Sequence, residues 1–376
     1  MTVTQVDARG TATRGGRRGI NIPVLLDGTW SDTNTNTNVG QICGRVPREA
    51  AGLVQERCYI EGVGTDPFDR IRGGLFGQGL EKVIRRAYRH ITQHHRSDDD
   101  RIYLIGYSRG AFTARSLAGM IAKCGLLDAE DMSSEKVFER YRNKKAPGLR
   151  EMQTGEMPAR TAEDRLVLER SRLVRIRFIG VFDTVGSLGI PAGLGRFLTR
   201  RKHEFHDANL SGLVDVACHA VAVDEHRRQF EPTLWTDVPK PIPGHPTEVE
   251  QRWFVGAHGN IGGGGTSKPA TKNPLSLLAR EWIVDRAVAA ELVVDPPDAP
   301  LRGTEWSGPI HDFHKTALGR LTRLWPLNKP LLRPVRKTVE EALDRSVLRR
   351  WDDADPQYRP RNPGLAACVQ SLIAAS

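Results

Sequence analysis

The chain has 376 residues, of which 39% are hydrophobic and 27% are charged, and its formal net charge at pH 7 is +10. The hydrophobic fraction is enough for a buried core and excludes a wholly disordered chain, and no run approaches the roughly 18 consecutive apolar residues of a membrane-spanning helix. The positive charge favours anionic partners. Because aromatic residues make up 6% of the chain and form no RNA-binding pattern, no nucleic-acid partner is expected.

The N-terminal segment is polar and rich in glycine and arginine. Residues 1–20 show no hydrophobic period, which predicts a disordered basic tail. No apolar stretch follows Arg17 and Arg18, so no signal peptide is expected and the protein is predicted to be cytoplasmic as synthesised. The remainder, 21–376, is predicted to be a single domain with an insertion at about 128–170 and a C-terminal cover at about 300–376.

Short apolar runs alternate with helical patterns along this domain. Strands are predicted at 22–26, 102–105, 174–182 and 252–256. Amphipathic helices are predicted at 80–91, 111–123 and 274–289. The apolar segment 213–223 fits a strand or a helix equally well. This alternation indicates an α/β fold of the α/β-hydrolase type, with a mostly parallel central sheet, helices on both faces, helical insertions and an irregular C-terminal wrap.

The cysteines and the paired histidines give no metal signal. Five widely spaced cysteines form no CxxC motif, which predicts reduced thiols and argues against a disulfide framework or a zinc ribbon. His90 and His94 have the i, i+4 spacing of a metal pair but no surrounding HExxH motif, so a solvated helix face is the better interpretation. Neither a catalytic metal nor another cofactor is expected.

The most informative segment is a GxSxG motif at 106–110, between a predicted buried strand and a helix rich in small residues. A nucleophile elbow needs this arrangement. Gly106 and Gly110 leave space in a crowded turn, and a strained backbone at Ser108 presents its hydroxyl at the sheet edge. The alternative is an incidental turn serine.

A nucleophilic serine needs a histidine base and an acid that orients the base, and in α/β hydrolases these follow in the order acid, histidine. Asp183 ends the third predicted strand and His258 follows the fourth, so both are expected at the same sheet edge as Ser108. The alternatives are a turn-capping role for Asp183 and a loop role for His258. Asp224 is a rival acid, but its basic neighbours favour a supporting role in an ion-pair cluster.

Two backbone donors are expected to form an oxyanion hole. The first is the N–H of Arg109, the residue after the serine, and the second belongs to the loop after the first strand, where Gly28 and Thr29 are the candidates. Asp27 is expected to hold this loop by accepting backbone hydrogen bonds; the alternative is a simple Asx-turn.

Seven sequence blocks together resemble a known family. They are DGTW at 27–30, TNV at 37–39, EGVGT at 61–65, GYSRGAFTAR at 106–115, GVFDTVGSLG at 180–189, AVDEHRRQF at 222–230 and WFVGAHGNIGGGG at 253–265. In this order they resemble the uncharacterised α/β-hydrolase domain family that includes the phospholipase effectors of type VI secretion. The resemblance spans about residues 22–363, and it implies that the catalytic residues of the family correspond to Ser108, Asp183 and His258.

The resemblance implies a serine ester hydrolase of phospholipase A type, which releases fatty acid from membrane phospholipid and can be delivered as an antibacterial type VI effector. The implied partners are a phospholipid membrane surface and a secretion-system adaptor or immunity protein. A hydrolase of a soluble ester, thioester or amide, and a non-catalytic binding module on the same fold, stay open as alternatives. The chain departs from the family at Asn260 and Gly265, where the family often has an acidic and an aromatic residue.

Overall fold

The computed structural model describes residues 19–28, 36–62, 75–186, 210–240, 242, 244–264, 273–312, 330–353 and 358–374. Most of the predicted N-terminal tail, the oxyanion candidate Thr29 and the divergent Gly265 lie outside the described residues.

Strands and helices alternate along the described chain. The first half contains β1 (Asn21–Leu26), α1 (Asn38–Arg45), β2 (Glu49–Ala50), β3 (Leu53–Val54), β4 (Cys58–Ile60), α2 (Leu75–His94), β5 (Arg101–Tyr107), α3 (Arg109–Cys124), α4 (Ser134–Arg142), α5 (Leu149–Gln153) and α6 (Ala162–Arg170). The second half contains β6 (Ile176–Phe182), β7 (Val214–Ala222), β8 (Glu248–Phe254), α7 (His258–Gly262), α8 (Pro274–Ala289), β9 (Glu341–Leu343), α9 (Arg345–Asp353) and α10 (Leu365–Ala374).

Seven of these strands form one sheet in the order β4-β1-β5-β6-β7-β8-β9, and each neighbouring pair is parallel. The predicted α/β architecture is confirmed, and the ambiguous segment 213–223 forms the strand β7. The chain leaves β1 towards β4 on one side of the sheet and leaves β5 towards β6 on the other side, so the direction of the connections changes between β1 and β5. In α/β sheets, the crevice at the carboxyl ends of two such strands is where ligands bind.

Helices cover both faces of the sheet, as predicted. Successive side chains of a strand point to opposite faces, and β5 shows this clearly. Leu104 packs in an apolar cluster with α2 and α3, whereas Ile105 packs in a second cluster with α1 and α8. Both residues are fully buried, so the strand that precedes Ser108 is held between two helical layers.

The segments predicted as an insertion and as a C-terminal cover both contain regular elements. The segment 128–170, predicted to be an insertion, holds α4, α5 and α6, and a buried ion pair at 2.7 Å joins Arg140 of α4 to Asp164 of α6. The cover, expected to be an irregular wrap, contains α9 and α10, and its short strand β9 extends the sheet beside β8. None of the helices in the described ranges is both long and apolar enough to cross a bilayer.

Candidate active site

Ser108 lies in a sharp turn between β5 and α3, with φ of 57° and ψ of −116°. Such a backbone costs on the order of 1–3 kcal/mol for a residue with a side chain, so the surrounding structure must hold it. The two motif glycines allow the turn to close. A Cβ at Gly110 would lie 2.1 Å from the carbonyl oxygen of Leu26, and a Cβ at Gly106 would lie 2.5 Å from the carbonyl oxygen of Gly110.

A continuous chain of hydrogen bonds joins the three residues singled out in the sequence. His258 Nε2 lies 2.8 Å from Ser108 Oγ, and His258 Nδ1 lies 2.6 Å from Asp183 Oδ2. Ser108 follows β5, Asp183 follows β6 and His258 follows β8. The carboxyl ends of these parallel strands meet at one edge of the sheet. In this geometry a neutral imidazole can take the serine proton on Nε2 while its Nδ1–H donates to the carboxylate.

Asp183 is completely buried and is surrounded by hydrogen-bond donors. Its Oδ1 accepts the N–H of Ala222 at 3.0 Å, and the guanidinium of Arg333 donates to both of its oxygens, at 2.6 and 3.0 Å. Burial alone would raise the pKa of Asp183, but the charge of Arg333 and the hydrogen bond from His258 hold that pKa well below its usual range. The carboxylate therefore stays ionised. Nothing in the sequence pattern connected Arg333 with this site.

Two aromatic rings pack against the imidazole of His258. The ring of Tyr107 lies 4.9 Å from it, and the ring of Phe230 meets it edge-on at 4.7 Å. The guanidinium of Arg227 lies 3.7 Å from the centre of the Phe230 ring, a cation–π contact that fixes the orientation of that ring. The imidazole is thus held by packing as well as by its hydrogen bonds.

Glu225 holds the backbone of His258 and was not recognised in the sequence. Its Oε2 accepts the backbone N–H of His258 at 3.2 Å, and the two carboxylate oxygens accept from Arg227 at 2.9 and 2.7 Å. Burial would raise the pKa of Glu225, but Arg227 outweighs it and lowers that pKa. A charged, positioned carboxylate therefore anchors the start of α7.

Asp224 makes no hydrogen bond to His258 in the described structure. Its Oδ2 accepts the N–H of Gly256 at 2.8 Å and the hydroxyl of Tyr358 at 2.9 Å, and burial raises its pKa. The ion pair expected in this segment is made by Glu225 and Arg227 instead. Asp224 fastens the loop after β8, and the C-terminal segment, to the end of β7.

The loop after β1 is organised by Asp27. Its Oδ1 accepts the N–H of Gly28 at 2.6 Å, and its Oδ2 accepts the hydroxyls of Thr37 at 2.5 Å and Tyr59 at 2.6 Å. The N–H of Gly28 must leave Asp27 before it can donate to an oxyanion. Arg109 is the first residue of α3, where backbone N–H groups have no partner within the helix. The choice of oxyanion donors stays a prediction.

A cavity of about 500 Å³ opens between the end of β4 and α2; its lining is Tyr59, Ile60, Glu61, Gly79, Lys82, Val83 and Arg86. A narrower cavity shares Ile60, Glu61 and Val83 with it and continues to Arg109 and Gly110 at the turn that carries the serine. The two cavities therefore lie side by side between the turn that carries Ser108 and the basic side chains Lys82 and Arg86 on α2.

Asn260, one of the two departures from the resembled family, is a structural joint. Its Oδ1 accepts the N–H groups of Ala257 and His311, at 3.1 and 2.9 Å, and its Nδ2 donates to Asn273 and Pro309, at 2.9 and 3.1 Å. The amide therefore uses its full hydrogen-bonding capacity to connect α7 with the chain at 309–311. Within the described ranges, no three or more His, Cys, Asp or Glu side chains are grouped so as to hold a metal ion.

Comparison with known proteins identifies a matching family and a curated relative. Residues 21–286 match the family model for the catalytic domain of Tle1-like phospholipase effectors of type VI secretion. The uncharacterized protein YEL023C of Saccharomyces cerevisiae is 29% identical over 243 residues, which cover 59% of this chain and 33% of the yeast protein. The chain therefore spans about a third of the length of that curated relative.

Two solved structures are similar to the chain. One is the Tle1 effector bound to the VgrG spike of the type 6 secretion system, with 15% identity, a TM-score of 0.42 and coverage of 86% of this chain and 84% of that chain. The other is an uncharacterized protein from Pseudomonas aeruginosa, with 17% identity, a TM-score of 0.43 and coverage of 78% and 48%. Because the family match extends over most of the chain, the protein belongs to the family of Tle1-like phospholipase effector catalytic domains.

Proposed function

We propose that the protein is a serine hydrolase that cleaves an acyl ester bond of phospholipid. Ser108 is the nucleophile, His258 the general base and Asp183 the acid that orients it. The observation that carries this proposal is the hydrogen-bonded chain from the serine hydroxyl through both imidazole nitrogens to a buried carboxylate. Membership in a phospholipase effector family supports phospholipid as the substrate class.

The geometry supports a two-step acyl transfer. His258 Nε2 takes the proton of Ser108 as Oγ attacks the acyl carbonyl carbon, and the oxyanion accepts hydrogen bonds from the N–H of Arg109 and from the loop after β1. His258 then protonates the departing lysophospholipid alcohol, which leaves an acyl ester on Ser108. A water molecule, deprotonated by the same imidazole, attacks this ester. Fatty acid is released and the serine hydroxyl is restored.

The lining of the larger cavity, between the end of β4 and α2, favours an amphiphilic, anionic substrate. Apolar side chains such as Ile60 and Val83 alternate there with Lys82 and Arg86, and Glu61 contributes one negative charge. Within the described ranges, Lys82 and Arg86 have no hydrogen-bond or ion-pair partner. A lipid presents an apolar chain beside a phosphate, which matches this combination of surfaces.

A fluorophosphonate probe combined with a lipid assay tests the proposal. Wild-type protein and a Ser108→Ala variant are compared on phosphatidylglycerol and phosphatidylethanolamine vesicles, with Ser307→Ala as a control at an exposed serine. We expect labelling and fatty-acid release from the wild type and the control, and neither from Ser108→Ala. Mass spectrometry of the lysophospholipid identifies which acyl chain is removed.

The other outcomes of this assay separate the alternatives. Labelling without fatty-acid release contradicts the lipid substrate and favours a soluble ester, thioester or amide. A folded wild type that the probe does not label contradicts the hydrolase and favours a binding module.

We also propose that the enzyme acts as an antibacterial effector, which its family membership supports. Such an enzyme needs an adaptor for delivery and an immunity protein in the producing cell. Expression in a sensitive bacterium, with and without an added export signal, tests this role. Growth arrest by the wild type and none by Ser108→Ala is the expected result; equal growth of the two strains at matched expression contradicts it.

A further inference from the structure

Arg333 lies behind Asp183 at the buried end of the hydrogen-bonded chain. Its side chain is completely buried, and its two terminal nitrogens donate to the two oxygens of Asp183. The same guanidinium donates to the carbonyl oxygens of Ala222, at 2.9 Å, and Phe230. The planar fork of an arginine matches a carboxylate through two parallel hydrogen bonds, which the single ammonium of a lysine does not reproduce.

We propose that Arg333 is a positioning residue for Asp183, and that the described segments 330–353 and 358–363 are part of the catalytic unit. The family match ends at residue 286, so these segments lie beyond the part of the chain that the family's catalytic domain covers. The inference rests on the proposed function, because it assigns Arg333 a role in the reaction of Ser108, His258 and Asp183.

The physical reason is the burial of Asp183. An isolated carboxylate is strongly disfavoured away from water and takes up a proton unless a charge and hydrogen bonds compensate it. Here His258 and the N–H of Ala222 supply hydrogen bonds, and Arg333 supplies a positive charge in direct contact. Arg333 therefore keeps the carboxylate ionised and sets its rotamer, so that Oδ2 meets the imidazole.

The C-terminal segment in turn fixes the position of Arg333. The side-chain amide of Asn362 donates to the carbonyl oxygens of Arg333, at 2.9 Å, and Val223, at 3.0 Å. Two residues further along, the N–H of Val335 donates to the carbonyl oxygen of Pro363 at 2.9 Å. The backbone of Arg333 is thereby fastened to the end of β7 and to residues 362–363, and both hydrogen bonds of the Asn362 amide are buried.

The test compares Arg333→Met and Arg333→Lys with Arg361→Met, a control at an exposed arginine of the same segment. With a short water-soluble ester, we expect Arg333→Met to lower kcat by roughly 10–1,000-fold, within the about 10⁴-fold effect of replacing the triad acid itself, and to change KM little. Arg333→Lys should recover part of the loss because it keeps the charge. The control should match the wild type.

The pH profile supplies a readout that a purely structural residue would not move. Because Arg333 depresses the pKa of Asp183, its removal should let the carboxylate take up a proton at higher pH. The acidic limb of kcat/KM is then expected to shift to higher pH in Arg333→Met. A well-folded Arg333→Met with the kcat and acidic limb of the wild type overturns the inference and leaves the proposed function standing.

A double variant keeps the inference testable if Arg333→Met is less stable. If Arg333 acts through Asp183, Arg333→Lys combined with Asp183→Asn should be no slower than Asp183→Asn alone. Multiplicative losses in the double variant contradict a role through Asp183. If Ser108→Ala retains full activity, the proposed function itself fails, and this outcome is separate from every result obtained at Arg333.

Discussion

The ring of Tyr107 occupies the space that a side chain at Gly262 would need. A Cβ at Gly262 would lie 1.9 Å from Tyr107 Cε2, and the same ring lies 4.9 Å from the imidazole of His258. Tyr107 directly precedes Ser108, and Gly262 ends the short helix that His258 begins. The absence of a side chain at Gly262 thus allows Tyr107 to pack against the imidazole of His258.

Replacing Gly262 by alanine should disturb both stability and activity. The added methyl group must displace the Tyr107 ring, and overpacking of this kind costs about 1–3 kcal/mol. We expect a lower free energy of unfolding and a lower kcat, because the support of His258 is lost. Denaturant unfolding and a soluble-ester assay measure the two effects.

Gly259 offers a matched control in the same helix. A Cβ there would meet no described atom within 4 Å, so Gly259→Ala should retain the stability and activity of the wild type. Equal behaviour of the two alanine variants would contradict the packing argument.

Asp183 and Asp224 should differ sharply when each is replaced by asparagine. Asp183→Asn is expected to reduce kcat by about 10⁴-fold, since the amide disfavours the imidazole tautomer that the reaction needs. Asp224→Asn should retain most activity, because an amide oxygen can still accept from Gly256 and Tyr358. Stopped-flow or steady-state kinetics with a soluble ester measure both, and a larger loss in Asp224→Asn would reverse the assignment.

His219 should make the fold sensitive to mild acid. Burial, with Arg115 nearby, lowers its pKa to about 3, whereas an unfolded histidine titrates near its ordinary value of about 6.5. Between these values the unfolded state binds the extra proton, so the free energy of unfolding falls as the pH falls. The contribution of His219 is about 1.4 kcal/mol per pH unit.

Urea unfolding between pH 6 and pH 4 measures this slope. His219→Gln should reduce the slope of the unfolding free energy against pH by the amount that binding of about one proton contributes. The fold should be kept, because the glutamine amide oxygen can still accept the N–H of Thr184, which His219 Nε2 accepts at 3.0 Å. His245→Gln, at an exposed histidine, is the control. An unchanged slope in His219→Gln would show that His219 does not stay neutral in the folded protein.

Lys82 and Arg86 should favour anionic lipid surfaces. Each basic side chain near a membrane contributes about 1 kcal/mol of attraction, so Lys82→Ala combined with Arg86→Ala should lower activity on phosphatidylglycerol vesicles by roughly 5–30-fold. Activity on a short soluble ester should not change, and added salt should shrink the difference. Arg89→Ala, at an exposed position of the same helix outside the cavity lining, controls for charge alone.

Residues at the ends of long apolar strands were accessible to sequence reasoning. Ser108 and Asp183 each follow such a strand directly, and the helix predicted at 274–289 has those bounds in the structure. The strand β9, with three residues, was missed because an element of this length carries no hydrophobic period. The helix α1 was missed because a polar stretch that favours loops precedes it, although Thr37 from that stretch caps the helix.

Polar contacts between residues far apart in the chain could not be predicted, because they leave no periodic pattern in the sequence. Arg333 and Asp183 are 150 residues apart, and Arg333 stands in a segment where arginine is common. Glu225 is one residue from Asp224, and only the direction of each side chain decides which of the two holds His258. Such pairings depend on how the finished chain folds back on itself, which neither periodicity nor spacing encodes.

The fastening of Arg333 by Asn362 also determines when the site can be completed during protein synthesis. A growing chain folds from its N-terminus as it leaves the ribosome, so Ser108, Asp183 and His258 emerge well before residues 333 and 362. Until residue 363 has been translated, Asn362 and Pro363 cannot hold the segment of Arg333 in place. The buried carboxylate of Asp183 then lacks its positioned arginine. On the proposed function, unfinished chains would therefore be poor hydrolases.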